Sequence, residues 1–275
     1  MPTLLNIDLF LNVILIWGQE TTMTMTITGI ILACIAGFFG AVVDAIVGGG
    51  GLITTPALLA IGMPTHLALG TNKFASSMGT ISSSYHFYKS GNMNLKLLKY
   101  LLPFSLVGSA LGVLAVLAIE PDFLRVLIIG LVICIGAYTL LKKDLGIHNT
   151  FTGLTRKKIA LGVLLALVLG FYDGFFGPGT GSFLIFGLIH IFGYDFKKAS
   201  ANSKLMNLFS NTTAFVLFLI NGKVMFLVAL PMSISMIIGA RVGAKLAITK
   251  GAAFIKPVFI TVSFALVVKM ITDLM

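Results

Sequence analysis

Four charged side chains stand inside stretches of sequence that are otherwise apolar: Asp44, Lys73, Asp173 and Lys204. They form two matched sets. Asp44 lies four residues ahead of the run Gly48, Gly49, Gly50, Gly51, and Asp173 lies four ahead of Gly177-Pro178-Gly179-Thr180-Gly181. Lys73 closes the run Ala68-Leu-Gly-Thr-Asn72-Lys73, and Lys204 closes Ala199-Ser-Ala-Asn202-Ser203-Lys204. A charge at membrane depth is costly unless it is paired or faces water, and such residues mark ion and substrate paths. Two lysines therefore suggest an anionic substrate.

The glycine runs suit the same chemistry. Each leads into a short apolar segment, so its N–H groups sit at a helix N-terminus, where the helix dipole favours an anion. Thr180 and Ser182 add hydroxyl donors there, and Asn72, Asn202, Ser203 and Asn207 would direct hydrogen bonds beside the lysines. The polar character continues at helical spacing through Ser76, Ser77 and Thr80 after Lys73, and through Ser210 and Asn211 after Lys204. Plainer roles compete with each reading. Glycine runs also serve close helix crossings, a lysine near a helix end can snorkel to the interface, and a buried aspartate can form a structural ion pair or a cap. For Asp44 and Asp173 three uses stay open: proton carrier, cation-coupling site, or counter-ion of the lysines.

The elements that must hold these groups are membrane helices. Of 275 residues, 57% are hydrophobic and 10% charged, against roughly 25% charged in soluble domains. The mean hydropathy of +1.05 excludes a soluble enzyme, a secreted scaffold and a disordered chain. The net charge of +10 comes from cations in short polar runs, where the positive-inside rule places them, so it does not signal nucleic acid. A spanning helix needs about 20 apolar residues. The polar breaks give Thr28–Val47, Leu67–Tyr88, Leu95–Leu117, Phe123–Leu141, Lys158–Phe176, Ser200–Ile220, Val224–Ile248 and Phe254–Ile271 as spans. Leu52–Ile61 and Phe183–Phe192 are too short to span, and Leu4–Trp17 is an apolar segment suited to the interface.

The two short segments occupy matching places. A shift of 131 residues pairs Lys73 with Lys204, Phe87 with Phe218, Gly91 with Gly222, Gly108 with Gly239 and Gly112 with Gly243. A tandem duplication follows. The chain divides into an N-terminal apolar or interfacial segment 1–27, repeat 1 over 28–141, a basic loop 142–157 and repeat 2 over 158–275. Five segments per half is an odd number, which predicts two inverted-topology repeats. The expected fold is an all-α polytopic membrane protein with short broken or re-entrant helices after the glycine runs. The basic loop is expected in the cytoplasm, with Lys89, Lys96, Lys99, Lys197, Lys198, Lys245, Lys250 and Lys256 on its side; Glu120, Asp122, Arg125 and Lys223 are expected opposite.

Other chemistry is not expected. Gly48–Gly51 is followed by Leu52 and Ile53, so it is no phosphate loop, and Gly177–Gly181 lacks the strand context of a dinucleotide turn. His66, His86, His148 and His190 have no metal-ligand spacing, and Cys34 and Cys134 sit mid-segment with no disulfide pattern. The first twenty residues carry Asp8 and Glu20 but no cation, so a cleaved signal peptide is not expected. No cofactor, metal or catalytic group is read from the chain. Gly108/Gly112 and Gly239/Gly243 are close-packing pairs, within one protomer or between protomers of a homo-oligomer.

Asp44 with Gly48–Gly51, Pro56, the Asn72-Lys73 run, and the second copy with Gly177–Gly181, Asn202-Ser203-Lys204 and Asn207 resemble the TauE/SafE sulfite exporter family. This family is also called the toluene-sulfonate uptake permease family, and the likeness runs from about residue 28 to 272. The resemblance implies secondary transport of small anions, such as sulfite, sulfonates or related sulfur oxyanions, across the bacterial inner membrane. In repeat 2, Pro178 and Thr180 interrupt the glycine run and Asn202-Ser203 replaces Thr71-Asn72, so the halves need not contribute equally. On this reading the glycine runs, the two lysines and the amides bind the anion, Asp44 or Asp173 takes a coupling proton if transport is coupled, and one repeat rocks against the other. The rivals are a passive anion channel and a non-transporting membrane assembly protein.

Overall fold

A computed structural model describes residues 26–124, 126–128, 130 and 149–272, with side chains to residue 249. The expected segment at 1–27, most of Phe123–Leu141 and the loop as far as residue 148 lie outside the described residues. Among those described, all regular structure is helical. The helices are α1 (Ile27–Val47), α2 (Gly51–Ala60), α3 (Thr65–Lys89), α4 (Leu95–Leu117), α5 (Arg156–Phe175), α6 (Thr180–Phe192), α7 (Phe196–Ile220) and α8 (Phe226–Thr272). Local sequence sets their starts. Thr26, Asn94, Thr155 and Asp195 cap α1, α4, α5 and α7, each side chain accepting from the backbone N–H three residues on.

Helices α1, α4, α5, α7 and Phe226–Thr249 of α8 are long and apolar enough to cross a membrane. Helix α3 matches them in length at 25 residues, but its run of Asn, Lys, Ser and Thr makes it more polar. Large apolar side chains point away from the bundle, among them Ile31, Phe39, Leu111, Leu114 and Ile234. Outward apolar belts of this kind suit lipid, and the chain is a multi-pass membrane protein. One expected break is missing: the boundary between Val224–Ile248 and Phe254–Ile271 does not interrupt the helix, and α8 continues through it. Gly251 is the residue there that favours a break, and an interior glycine costs only about 1 kcal/mol against alanine.

The short helices double back. A β-carbon on Gly29, at the start of α1, would lie 3.7 Å from the Ile61 β-carbon at the end of α2, and one on Gly40 would meet Thr54 and the Gly50 carbonyl. Thus α2 returns along α1. Helix α6 returns along α5 in the same way, with the Phe192 ring against Gly162 and the Leu165 side chain against Gly187.

Long helices pack through glycine in matched pairs. A β-carbon on Gly239 or Gly243 would lie 2.3 or 2.4 Å from the Phe38 or Val42 carbonyl oxygen of α1. On Gly108 or Gly112 it would lie 2.2 or 2.1 Å from the Leu167 or Phe171 carbonyl oxygen of α5. Thus α1 packs on α8 and α4 on α5, while α3 packs against α7 and α8.

Two ends of the bundle follow from contacts between turns. At one end Asn94 donates through Nδ2 to the Tyr194 hydroxyl (2.8 Å), and the Thr150 N–H donates to the Gly193 carbonyl (2.7 Å). Burial raises the Tyr194 pKa and keeps its hydroxyl neutral. At the other end the His66 ring bonds the Val116 carbonyl (3.0 Å), and the Met225 N–H donates to the Thr71 hydroxyl (2.9 Å). Helix α3 runs from the second end to the first, and α7 runs the opposite way.

Candidate functional site

The two returns from long helix to short helix meet in the middle of the bundle. Gly48 adopts φ +83°, and a β-carbon there would lie 2.2 Å from the Gly181 carbonyl carbon; one on Gly51 would lie 2.9 Å from the Pro178 Cα. Only glycine permits backbones this close. Ser182 ties the crossing, donating through its N–H to the Gly48 carbonyl (3.2 Å) and through Oγ to the Val47 carbonyl (2.7 Å). Among the described residues no acceptor meets the N–H groups of Gly49, Gly50 or Gly51. They are the free donors that a helix N-terminus leaves.

Beside the crossing lie the four charges, paired between the halves. Lys73 of α3 donates through Nζ to Asp173 Oδ1 of α5 (2.9 Å) and to Asn211 Oδ1 of α7 (3.0 Å). Lys204 of α7 donates to Asp44 Oδ2 of α1 (2.8 Å) and to the Asp44 backbone carbonyl. Each lysine therefore neutralises the aspartate of the opposite repeat. The environments differ. Asp173 is 2% exposed at its side chain and its second oxygen accepts from Asn207 Nδ2 (3.2 Å) and from the Ser210 hydroxyl. Asp44 is 23% exposed.

Asp44, Lys73 and Asp173 face one cavity of about 470 Å³, mouth included. Gly48, Gly50, Gly51, Gly177 and Gly181 form one wall, and Asn72, Ser76, Gly79 and Thr80 line it along α3. Asn207 and Asn211 come from α7, while Ala41, Met236 and Ala240 supply an apolar side. The amides are held in place: Asn72 donates to the Thr55 hydroxyl (3.4 Å) and accepts from Ser76 (3.5 Å), and Asn211 donates to Asn207 Oδ1 (3.2 Å).

Several residues singled out in the sequence lie elsewhere. Gly49 and Gly179 do not line the cavity, and the Thr180 hydroxyl turns back to the Gly177 carbonyl (2.7 Å). Asn202 is engaged with the Asn94 N–H (2.9 Å) and the Lys198 carbonyl (2.6 Å) at the lysine-rich end. Ser203 donates within α7 to the Ser200 carbonyl (2.9 Å). Lys204 is fully buried behind Asp44 and reaches the cavity only through it.

A family model described as sulfite exporter TauE/SafE matches residues 33–270. The chain belongs to that family. Among relatives of this TauE/SafE member is a probable membrane transporter protein of Haemophilus influenzae, 40% identical over 88% of this chain and 94% of its own length. Another is the probable membrane transporter protein YfcA of Escherichia coli, 38% identical over 88% of both chains. A third, YdhB of Bacillus subtilis, carries the same description at 26% identity over 86% of this chain. No solved structure matches it. The TauE/SafE chain is thus a membrane transporter, and a residue of the cavity must be weighed by what it does for a solute.

The sequence reading missed Ala41, Gly79, Met236 and Ala240. Small or apolar residues in an apolar segment carry no signal of their own. Gly79 could have been found from its register, because it stands where repeat 2 has Ser210.

Proposed function

We propose that this protein is a secondary transporter of small anions, with sulfite, sulfonates or related sulfur oxyanions as substrates, working by alternating access between two inverted repeats. The observation that carries the reading is the central cavity, where the free N–H groups of Gly50 and Gly51 adjoin Lys73 and the amides of Asn72, Asn207 and Asn211. Such a set offers donors to several oxygens of one small oxyanion, with charge compensation from an ammonium. The family's description names sulfite and supports the sulfur class.

Inversion is supported by direction: α1 and α3 run toward the end bearing Lys89, while α5 and α7 start near Arg156 and Lys197 and run away from it. Alternation is supported by an asymmetry between matched wedges. The cavity extends along α3 to Thr80, about 10 Å beyond Lys73 at 1.5 Å per residue. The matching wedge is sealed, with Ser109 Oγ donating to the Ser210 carbonyl (2.7 Å) and Ser105 Oγ to the Met206 carbonyl (3.2 Å). The lysine-rich end is assigned to the cytoplasm of a bacterial inner membrane, with loop 142–157 on that side.

The test is flux in proteoliposomes of the purified protein, with sulfite, methanesulfonate, thiosulfate and sulfate offered singly and Lys73→Ala alongside. The expected result is saturable flux with counterflow for at least one sulfur anion, lost in the variant when equal amounts of folded protein are reconstituted. Flux without saturation or counterflow would instead make the protein a channel. Silence across the panel from folded protein refutes the reading.

A further inference from the structure

The two ion pairs are matched by sequence and unmatched by surroundings, and the difference bears on protons. Asp173 is saturated. Oδ1 accepts from Lys73, Oδ2 accepts from Asn207 and Ser210, and the residue is 1% exposed. Adding a proton there requires breaking a bond to a group that is acting as a donor. Asp44 spends Oδ2 on Lys204, and among the described residues Oδ1 has no hydrogen-bond partner. Its side chain is 23% exposed, and the residue lines the cavity.

The cause is visible in the register of the duplication. Asn207 and Ser210 of α7 hold Asp173, and the residues at those places in α3 are Ser76 and Gly79. Ser76 donates to Asn72 instead, and Gly79 has no side chain to donate. One aspartate was left with an open oxygen toward water.

We infer that Asp44 is the proton-binding site of the transporter, and that each monoanion carried through the cavity travels with one proton on Asp44 Oδ1. This inference rests on the anion-transport reading above. The charged groups facing Asp44 are Lys204 from α7 and, across the cavity, Lys73 of α3 and Asp173 of α5. Helices α2 and α6 bring only glycines to the cavity, and α8 brings Met236 and Ala240. With all four groups ionised the quartet is neutral. An anion entering alone leaves a net negative charge at low dielectric, which is costly. A proton entering alone leaves Lys204, fully buried, with two neutral acceptors, Asp44 Oδ2 and the Asp44 backbone carbonyl, and no counter-charge. Both together restore neutrality: a proton from bulk solution, relayed by cavity water, binds Asp44 Oδ1, and the anion takes the place of the lost carboxylate charge. Each ligand therefore raises the affinity for the other by the same factor. Asp173 keeps its donors Lys73, Asn207 and Ser210 and holds Lys73 in position.

The experiment uses methanesulfonate, whose charge does not change with pH, and sulfite, in voltage-clamped proteoliposomes containing a pH-sensitive dye. For wild type the expected ratio is one proton per methanesulfonate, with the apparent Kd rising about tenfold per pH unit on the alkaline side. Asp44→Asn is expected to lose accumulation driven by a pH gradient, whatever anion counterflow it retains at equal pH. Asp44→Glu, which keeps a carboxyl, should restore accumulation with a shifted pH midpoint. Adding the anion should also produce an infrared carboxylic-acid band in wild type and Asp44→Glu that is missing in Asp44→Asn, a readout independent of flux. Counterflow by wild type without proton movement would overturn the proposal and leave anion transport standing. So would gradient-driven accumulation by Asp44→Asn, or a carboxylic-acid band lost in Asp173→Asn but kept in Asp44→Asn. Absence of counterflow in wild type removes the transport reading itself.

Discussion

Replacing Lys73 by methionine tests the crossed ion pairs without any assumption about substrate. The change keeps most of the aliphatic stem and leaves the Asp173 carboxylate, 2% exposed, with Asn207 and Ser210 as its donors among the described residues. Breaking one partner from a buried pair costs about 3–5 kcal/mol, because the survivor is an uncompensated charge. At roughly 2–4 °C per kcal/mol, the melting temperature in detergent should fall by about 6–20 °C. Removing both charges in Lys73→Met/Asp173→Leu should recover most of that loss. Ser210 already lies 3.1 Å from a second acceptor, the Asn207 carbonyl, and Asn207 keeps the bond that its Oδ1 accepts from Asn211, so its Nδ2 is the one donor of the two left to re-pair. The double variant is therefore expected within about 2 kcal/mol of wild type. Lys204→Met should cost less than Lys73→Met, because the orphaned Asp44 keeps access to water. The assay is thermal unfolding followed by tryptophan-independent thiol or dye reporting, with the double-mutant cycle computed from the four proteins. Additive losses, with the double variant falling by the sum of the singles, would refute the pairing as an energetic unit. An equal or larger loss in Lys204→Met would refute the argument from exposure.

Gly181→Ala should destabilise at the top of the roughly 1–3 kcal/mol range for overpacking, since its β-carbon meets the Gly48 Cα at 2.4 Å and both partners are backbone; a melting temperature within error of wild type would show that the two returns do not touch. Gly48→Ala should be worse still, adding the roughly 1 kcal/mol of a side chain held at positive φ, and the yield of folded protein measures it. Asn72→Ala should raise KM for the transported anion by about 10–100-fold, the worth of a hydrogen bond to a charged group. Ser203→Ala should change KM by less than about twofold, because that hydroxyl is spent inside its own helix; reversed effects would put the binding residues elsewhere. Ser105→Ala/Ser109→Ala removes two hydroxyls that seal α4 on α7, and should speed turnover by up to about fivefold per bond lost if opening that wedge limits the rate. Unchanged turnover and unchanged stability would remove those hydroxyls from the gate.

The membrane class and the helical fold are written in one dimension. Apolar run length, cation placement and the shift of 131 residues that pairs Lys73 with Lys204 are properties of spacing, and spacing survives without coordinates. The same holds for the family, whose marks are short motifs around Asp44, Gly48–Gly51, Lys73, Gly177–Gly181 and Lys204. The continuous α8 shows the limit, because a single glycine raises the cost of helix there without forbidding it. Depth and facing belong to three dimensions. The sequence could offer Asp44 and Asp173 as counter-ions of the lysines, but only packing decided that each lysine crosses to the other repeat. Packing also turned Asn202 and Ser203 away from the cavity and hid Lys204 behind Asp44 while Lys73 stayed in the wall. Two copies with nearly equal motifs could not reveal this, since the difference lies in which neighbours satisfy each side chain. Ser210 holds Asp173 where Gly79 leaves Asp44 open, and that consequence exists only once α3, α5 and α7 have met.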